Sequence, residues 1–284
     1  MGTLRVVATP IGNLEDVSPR ALRSLAEADR VFAEDTRRTR ILLDRHQIDA
    51  KPVSLHEHNE ASRIESALEL LRGEGQVTLV SDAGTPLISD PGARLVAAAI
   101  EAGHKIEPIP GPSAVLSALT VSGFVATPFA FLGFLPRTKG ARGQLLTSYL
   151  TRPETLVLFE SPRRVHATLN ELAECFDRRR GCVARELTKL HEEVVRGSFS
   201  ELAARFAEKA RGEFTIVVEG GSEGEEKAAG QVMLGDDELT ERLRSLLASG
   251  RRPREIAALV AGETAIPRRQ LYAKVLALKN EGAK

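Results

Sequence analysis

The stretch "QVTLVSDAGTPLISDPGARLVAAAIEAG", Gln76 to Gly103, decides the fold. "QVTLV" reads as a buried strand, and "ARLVAAAIEAG" has helical spacing closed by a glycine. A strand that passes through a loop into a helix is the unit of an α/β sheet, and such sheets bind ligands beyond the carboxyl ends of their strands. The intervening loop, Ser81–Gly92, holds Asp82 and Asp90, Pro86 and Pro91, Gly84 and Gly92, and no Lys, Arg, Cys or His. A phosphate cradle would want glycines and a lysine. Prolines fix the path of this loop and glycines permit close approach. Its carboxylates and carbonyls suit a ligand with a positive centre.

Outward from that stretch the same unit repeats. "LRVVA" (Leu4–Ala8) and "KIEPIP" read as strands. "SPRALRSLAEADRV" reads as a helix with Ser18 as N-cap and Pro19 in its first turn, and "RIESALELLRG" and "PSAVLSALTVSG" read as two more. The order β-α-β-α-β predicts a mostly parallel sheet with helices on its faces. A second set follows, with strands "PFAFLGF", "ETLVLF", "CVARE" and "EFTIVVEG" and helices "SPRRVHATLNELAECF" and "SELAARFAEKA". The expected organisation is an N-terminal α/β domain over 1–117 and a second over 118–222. A Gly- and Glu-rich linker follows over 223–235, then a small, basic, all-α module over 236–284 that resembles a helix-turn-helix. That module shows three helical patterns, Glu238–Ala248, Arg254–Ala261 and Pro267–Lys279, and no strand.

Composition narrows the class. The chain has 284 residues with 42% hydrophobic and 27% charged content and zero formal net charge, as expected of a soluble protein and not of a polycation. Any nucleic-acid surface must be local, and the C-terminal module, with Arg251, Arg252, Arg268 and Arg269 among its basic residues, is the candidate. Cys175 and Cys182 match no metal or redox spacing and read as incidental thiols of a reducing cytoplasm. No signal peptide is expected, since Met1 is followed at once by a strand pattern. No apolar run approaches the ~20 residues of a membrane span. No Walker A loop occurs, and no G-x-G-x-x-G follows the first strand, which disfavours ATP and nicotinamide enzymes. "HEH" (His56–His58) puts two imidazoles on one face, with no third ligand evident, and reads as a polar loop.

The segments "VVATPIGNLEDVSPRAL", "ADRVFAEDTRRTRILL", "SDAGTPLISDPG", "PIPGPSAVLSAL", "FLGFLPR" and "FESPRRV" together resemble the tetrapyrrole methylase superfamily. Within it they are most similar to the bacterial small-subunit ribosomal RNA cytidine 2'-O-methyltransferases. The resemblance covers nearly the whole chain. It implies two α/β domains with S-adenosylmethionine in the cleft between them, and a homodimer in the cytoplasm. It also implies a substrate in small-subunit ribosomal RNA, free or in the assembled subunit. Carried over by position, cofactor contacts fall on Ile11, Ala83, Gly84, Thr85, Ile88, Ser113 and Ala114, then on Phe159 or Glu160, Leu187 and Thr215, with Asp82 shaping the loop or lying near the cofactor. Small-molecule members have a glycine-rich first loop and G-G-D in the middle one, where this chain has "TPIGN" and "AGT".

Methyl transfer to a ribose hydroxyl is an in-line displacement with a neutral leaving group, so it needs alignment and a base rather than an acid. Candidate bases are Asp35, Glu34 and Glu160; against them, Asp35 can simply pair with Arg37, and Glu160 can cap the helix begun at Ser161. Arg37, Arg38, Arg163, Arg164 and Lys189 are candidates for holding RNA phosphates, or are solvated surface charges. The alternatives to an RNA methyltransferase are a porphyrin-precursor C-methyltransferase and a non-catalytic RNA-binding factor of ribosome assembly.

Overall fold

The computed structural model describes residues 1–56, 59–208, 210–221, 236–249, 251–263 and 268–281. The first sheet contains β1 (Thr3–Val7), β2 (Arg30–Ala33), β3 (Pro52–Ser54), β4 (Gln76–Val80) and β5 (Lys105–Ile109) in the order β3-β2-β4-β1-β5. Every pairing in it is parallel. Helices α1 (Pro19–Ala26), α2 (Thr36–Arg45), α3 (Glu60–Arg72) and α4 (Ala93–Glu101) cross over between the strands. Alternation along the strands fills both faces. Leu4, Phe32 and Leu79 pack against Ala67 and Leu71 of α3 and Leu95 and Ala99 of α4. Val7, Val31 and Val80 pack against Ala21 and Leu25 of α1 and Leu42 and Leu43 of α2. The Ser18 hydroxyl accepts the Ala21 N–H, and Pro19 occupies the first turn of α1, as the sequence predicts.

The second sheet contains β6 (Phe129–Phe134), β7 (Thr155–Glu160), β8 (Arg180–Arg185), β9 (Glu193–Ser198) and β10 (Phe214–Val218) in the order β6-β7-β10-β8-β9. Only β6 with β7 is parallel; the other pairings are antiparallel. Helix α5 (Ala114–Ser122) follows β5 of the first sheet and lays Val115, Ala118 and Leu119 on Val157, Cys182, Ala184 and Val217 of the second. Arg196 closes the C-terminus of α5 through bonds to the Ser122 and Val121 carbonyls. Helices α7 (Val165–Cys175) and α8 (Phe199–Arg205) pack together, and α8 approaches β8 so closely that a Cβ on Gly181 would lie 2.5 Å from a Phe199 ring carbon.

The structure adds elements that periodicity does not reveal. Ala33–Arg40, expected as a loop, contains the end of β2 and the start of α2, whose arginine-rich sequence buries only Thr39, Leu42 and Leu43. Helix α1 ends at Ala26, and Arg30 and Val31, expected at the end of that helix, start the new strand β2. Strands β3 and β9 and helix α6 (Lys139–Thr147) are also new, and β9 turns the second sheet antiparallel by following β8 without a helix between. The expected boundary at 117/118 falls within α5.

Contacts divide the chain into two compact units. Both sheets belong to the first, Met1–Arg137 with Thr155–Glu219; the second is Thr138–Glu154 with Gly220–Lys284. In the second unit, α9 (Asp236–Ala248), α10 (Pro253–Glu263) and α11 (Arg268–Glu281) share a core of Leu239, Leu243, Leu246, Ile256, Val260, Leu271 and Val275. Their bounds lie within two residues of the expected patterns. The expected linker, 223–235, lies outside the described residues. Among those residues no helix is long and apolar enough to cross a membrane.

Candidate active site

The loops leaving β1, β4 and β5 are tied to one another through the backbone. Thr9 and Gly84 exchange N–H···O bonds of 2.9 Å in both directions. The Thr9 hydroxyl donates to the Ser81 carbonyl at 3.3 Å, and the Thr85 hydroxyl to the Pro112 carbonyl at 3.3 Å. Gly84 takes φ +82°, and a Cβ there would stand 3.4 Å from Ile11 Cγ2. Leu87 and Ser89 also adopt left-handed backbone, at φ 74° and 71°. Such residues cost of order 1–3 kcal/mol each and persist where surrounding structure over-determines them.

These loops and the ends of β6, β7 and β10 enclose a cavity of about 420 Å³ within the first unit. Ile11, Ala114, Val115 and Phe159 give it an apolar interior, and Ile11 is only 7% exposed. Five acidic residues reach the cavity lining, Glu34, Asp82, Asp90, Glu160 and Glu213. Asp82 Oδ1 accepts the Asp35 backbone N–H at 2.7 Å, and its other oxygen lies 3.6 Å from the Arg38 guanidinium. At the mouth stand two exposed apolar side chains, Ile88 and Phe134.

Burial pushes the Glu34 carboxyl up, and the charges of Asp82 and Asp90 add to the effect. Burial also pushes Asp90 up to about 6, helped by Asp82 and opposed by a hydrogen bond from Ser81. Such a cavity stabilises a cation bound beside these groups, and burial makes the carboxyls of Glu34 and Asp90 readier to accept a proton than free carboxyls are.

Of the residues expected to hold the cofactor, Ile11, Asp82, Ala83, Gly84, Thr85, Ile88, Ser113, Ala114, Phe159, Glu160 and Thr215 all line the cavity. Leu187 does not; it is buried against Ile11 and Val115 in the core beneath. Of the candidate bases, Glu34 lines the cavity and Asp35 does not. Asp35 caps α2 and accepts from the Arg37 backbone at 2.9 Å and its guanidinium at 3.1 and 2.8 Å, which holds its carboxyl down to about 2. Glu160 reaches the lining, but its carboxylate is fully buried. It accepts the Ser161 N–H and the Thr168 hydroxyl, both at 2.7 Å, and pairs with Arg164 at 3.4 Å. It anchors the turn into α7.

The candidate RNA-binding cations divide similarly. Arg164 also donates to the Leu135 carbonyl, Lys189 lies 2.9 Å from both Glu186 and Glu213, and Arg38 pairs with Asp82. All three have carboxylate partners within the protein, although Arg38 is itself exposed. Arg37, Arg163, Arg251 and Arg252 are exposed. The side chains of Arg268 and Arg269 lie outside the described residues. His56 donates its backbone N–H to Asn59 Oδ1, while Glu57 and His58 of the "HEH" run are outside the described residues. Cys182 is buried in the core under α5, and Cys175 is half-buried.

The contacts carried over by position leave out Ser89, Asp90, Val115, Phe134, Ser161, Pro162 and Gly212–Phe214, which also line the cavity. Asp90 stands in the opening stretch and carries a signal, an acid between a serine and a proline ahead of a helix. Phe134 follows a glycine inside a strand, which marks a bulge.

The sequence profile of tetrapyrrole (corrin/porphyrin) methylases matches residues 3–203. The chain is 42% identical to the ribosomal RNA small subunit methyltransferase I of Synechocystis over 99% of its own length and 100% of that protein's. It is 47% identical to the Thermotoga maritima protein of the same name, over 78% of this chain and 99% of that one. Among solved structures, a uroporphyrin-III C-methyltransferase from Thermus thermophilus, complexed with S-adenyl homocysteine, superposes with a TM-score of 0.55 at 21% identity, over 76% of this chain and 97% of that one. With a family profile matching residues 3–203 and 42% identity over 99% of its length, the chain belongs to the tetrapyrrole (corrin/porphyrin) methylase family and, within it, to the ribosomal RNA small subunit methyltransferase I proteins.

Proposed function

We propose that this protein transfers a methyl group from S-adenosylmethionine to the ribose 2'-hydroxyl of a cytidine in small-subunit ribosomal RNA. The observation that carries this is the 42% identity over the full length of a ribosomal RNA small subunit methyltransferase I. The likeness to porphyrin-precursor methyltransferases is of fold, at 21% identity.

The cavity fits the cofactor by its chemistry. Among the described residues its lining contains one cation, Arg38, already paired with Asp82, against the uncompensated carboxyls of Glu34 and Asp90. Ile11, Ala114, Val115 and Phe159 would bed the adenosine. The carbonyls of Ala83 and Gly84 with the carboxylates of Glu34, Asp82 and Asp90 would face positive charge, which a lysine would repel. When bound, S-adenosylmethionine supplies an electrophilic methyl group on cationic sulfur.

The loops around Gly84 and Pro112 hold the site rigid, so that a hydroxyl and a methyl meet in line. One carboxylate of the Glu34–Asp90 pair accepts the single proton of the attacking hydroxyl while the other holds its charge beside it; general-base catalysis of this kind is worth about 10²–10⁴-fold. Asp35 and Glu160, saturated by Arg37 and by Ser161, Thr168 and Arg164, do not take this role. The exposed Arg251 and Arg252 of the helical module add salt-sensitive contact with RNA phosphates. The working form is a homodimer acting in the cytoplasm, on the subunit or its RNA.

The test incubates the purified chain with methyl-labelled S-adenosylmethionine and purified small ribosomal subunits. Label recovered as 2'-O-methylcytidine after digestion of the RNA is the expected result. Label on an added porphyrin precursor, or on nothing, overturns the reading.

A further inference from the structure

Strand β6 carries an irregularity that its neighbour β7 lacks. Phe131 pairs with Val157 and Phe134 with Phe159, so β6 spends an extra residue between these two pairings. Gly133 absorbs it at φ +61°. Side chains alternate along a strand, so residues three apart ordinarily face opposite ways. The bulge brings Phe131 and Phe134 onto the same face, where both rings meet Phe159 edge-on, at centroid distances of 4.9 and 5.8 Å. Bulges of this kind re-aim a side chain and are frequent beside active sites.

The re-aimed ring is not buried. Phe134 lines the cavity yet is 56% exposed, and Ile88, also in the lining, is 44% exposed. A Cβ on Gly133 would lie 3.4 Å from Ser89 Oγ, so the bulge abuts the loop that carries Ile88. The cavity thus has an apolar interior of the right kind for the cofactor's adenosine, and a separate apolar rim. What binds at the rim lies outside the space that fills the interior.

On the ribosomal RNA reading above, that second occupant is a nucleotide. Its 2'-hydroxyl reaches an enclosed methyl only if the nucleotide leaves its helix or loop stack, and bases so displaced are recognised by stacking on aromatic side chains. We propose that Phe134, set by the Gly133 bulge and flanked by Ile88, is the platform on which the base of the target nucleotide stacks while its ribose is methylated. Phe134 acts here as a substrate-binding residue, and Phe159 and Gly133 position it.

The test compares Phe134→Ala, Phe134→Leu and Phe134→Tyr with the parent chain. Cofactor affinity is measured by calorimetry and methyl transfer by single-turnover labelling of small subunits. Stacking of one base on an aromatic ring predicts that the Ala and Leu variants lose about 10- to 100-fold in transfer efficiency, while cofactor affinity stays within about 3-fold. The Tyr variant, which keeps an aromatic plane, retains transfer. A Leu variant as active as the parent would show that the ring merely packs, and overturns the proposal. Equal losses in cofactor affinity and transfer would place the adenine on the ring instead, and also overturn it. If the parent chain labels no ribosomal RNA while binding the cofactor, the substrate reading itself has failed and the stacking role falls with it.

Discussion

The two sheets treat their acidic side chains in opposite ways. At the strand ends of the first sheet, burial raises Glu34 and brings Asp90 to about 6. On the second sheet, Glu193 is held low by Arg205 and, against some burial, by Arg185, and Glu219 is held low by Arg180. Glu160 is closed in by Ser161, Thr168 and Arg164. All are carboxylates in a chain with equal numbers of acids and bases. Those of the second sheet complete the fold by neutralising its cations. At the strand ends of the first, Asp35 and Asp82 are likewise paired, with Arg37 and Arg38, whereas Glu34 and Asp90 stay available to something from outside. An acid's chemistry is therefore set by the partner that the fold assigns it, more than by its place in a motif.

The contrast predicts its largest effect for the first sheet. Glu34→Gln combined with Asp90→Asn lowers the rate of methyl transfer by at least about 100-fold, and each single change by about 10-fold. The rate for the parent chain falls as pH drops through about 6, where Asp90 takes up a proton, and this limb flattens in Asp90→Asn. Stability moves the other way. The folded carboxyl of Asp90 lies above its ordinary value of 3.8, so its favourable contribution is present at low pH and fades as pH rises through about 6. Asp90→Asn is therefore expected to be slower yet more resistant to denaturant at pH 8. Pre-steady-state labelling and urea titration at pH 5 and 8 check both halves. If Asp35→Asn proves more damaging to turnover than Glu34→Gln, the assignment of roles between neighbours is reversed.

For the second sheet the expected effect is on folding. Arg164→Ala leaves the buried Glu160 carboxylate with its Ser161 and Thr168 bonds but no counter-charge, a loss of about 1–3 kcal/mol by urea denaturation. Cofactor affinity changes little. Acid has a related effect: Glu193 and Glu219 sit below their ordinary value of 4.5, so their contribution holds above that pH and is lost as pH falls through their folded values.

The same division explains what was legible beforehand. The opening strand–loop–helix stretch reads correctly because a buried parallel strand is a short apolar run and its loop is dense in Gly and Pro. The lining of the cavity also reads well, because strand-end loops are contiguous in sequence. Asp35 misleads because Glu34 and Asp35 are adjacent, and only the turn from β2 into α2 decides that one faces the cavity and the other caps a helix. That helix itself hides behind "TRRTRILLDR", where few apolar residues mark the period. Strand β9, "EVVRGS", alternates too briefly to register, so the antiparallel half of the second sheet is invisible without its partner β8. For Phe134, Gly133 hints at a bulge, but which way the ring turns is a matter of register between β6 and β7.

The smallest effects separate the cations. Lys189 looks like a phosphate ligand from its position at a strand end, yet its ammonium already faces Glu186 and Glu213. Lys189→Met is therefore expected to leave RNA affinity within about 2-fold and its salt dependence unchanged, because no counterion is released by a charge already neutralised within the protein. Arg251 and Arg252 stand exposed just before α10. Replacing both with Ala lowers affinity about 10-fold near 0.1 M salt and flattens the slope of log affinity against log salt by about 2, as expected for two lost phosphate contacts. Loss of Arg251 and Arg252 should accordingly raise the RNA concentration needed for half-maximal transfer and leave the maximal rate in place. A fall in the maximal rate instead would tie the helical module to the chemistry of the cavity.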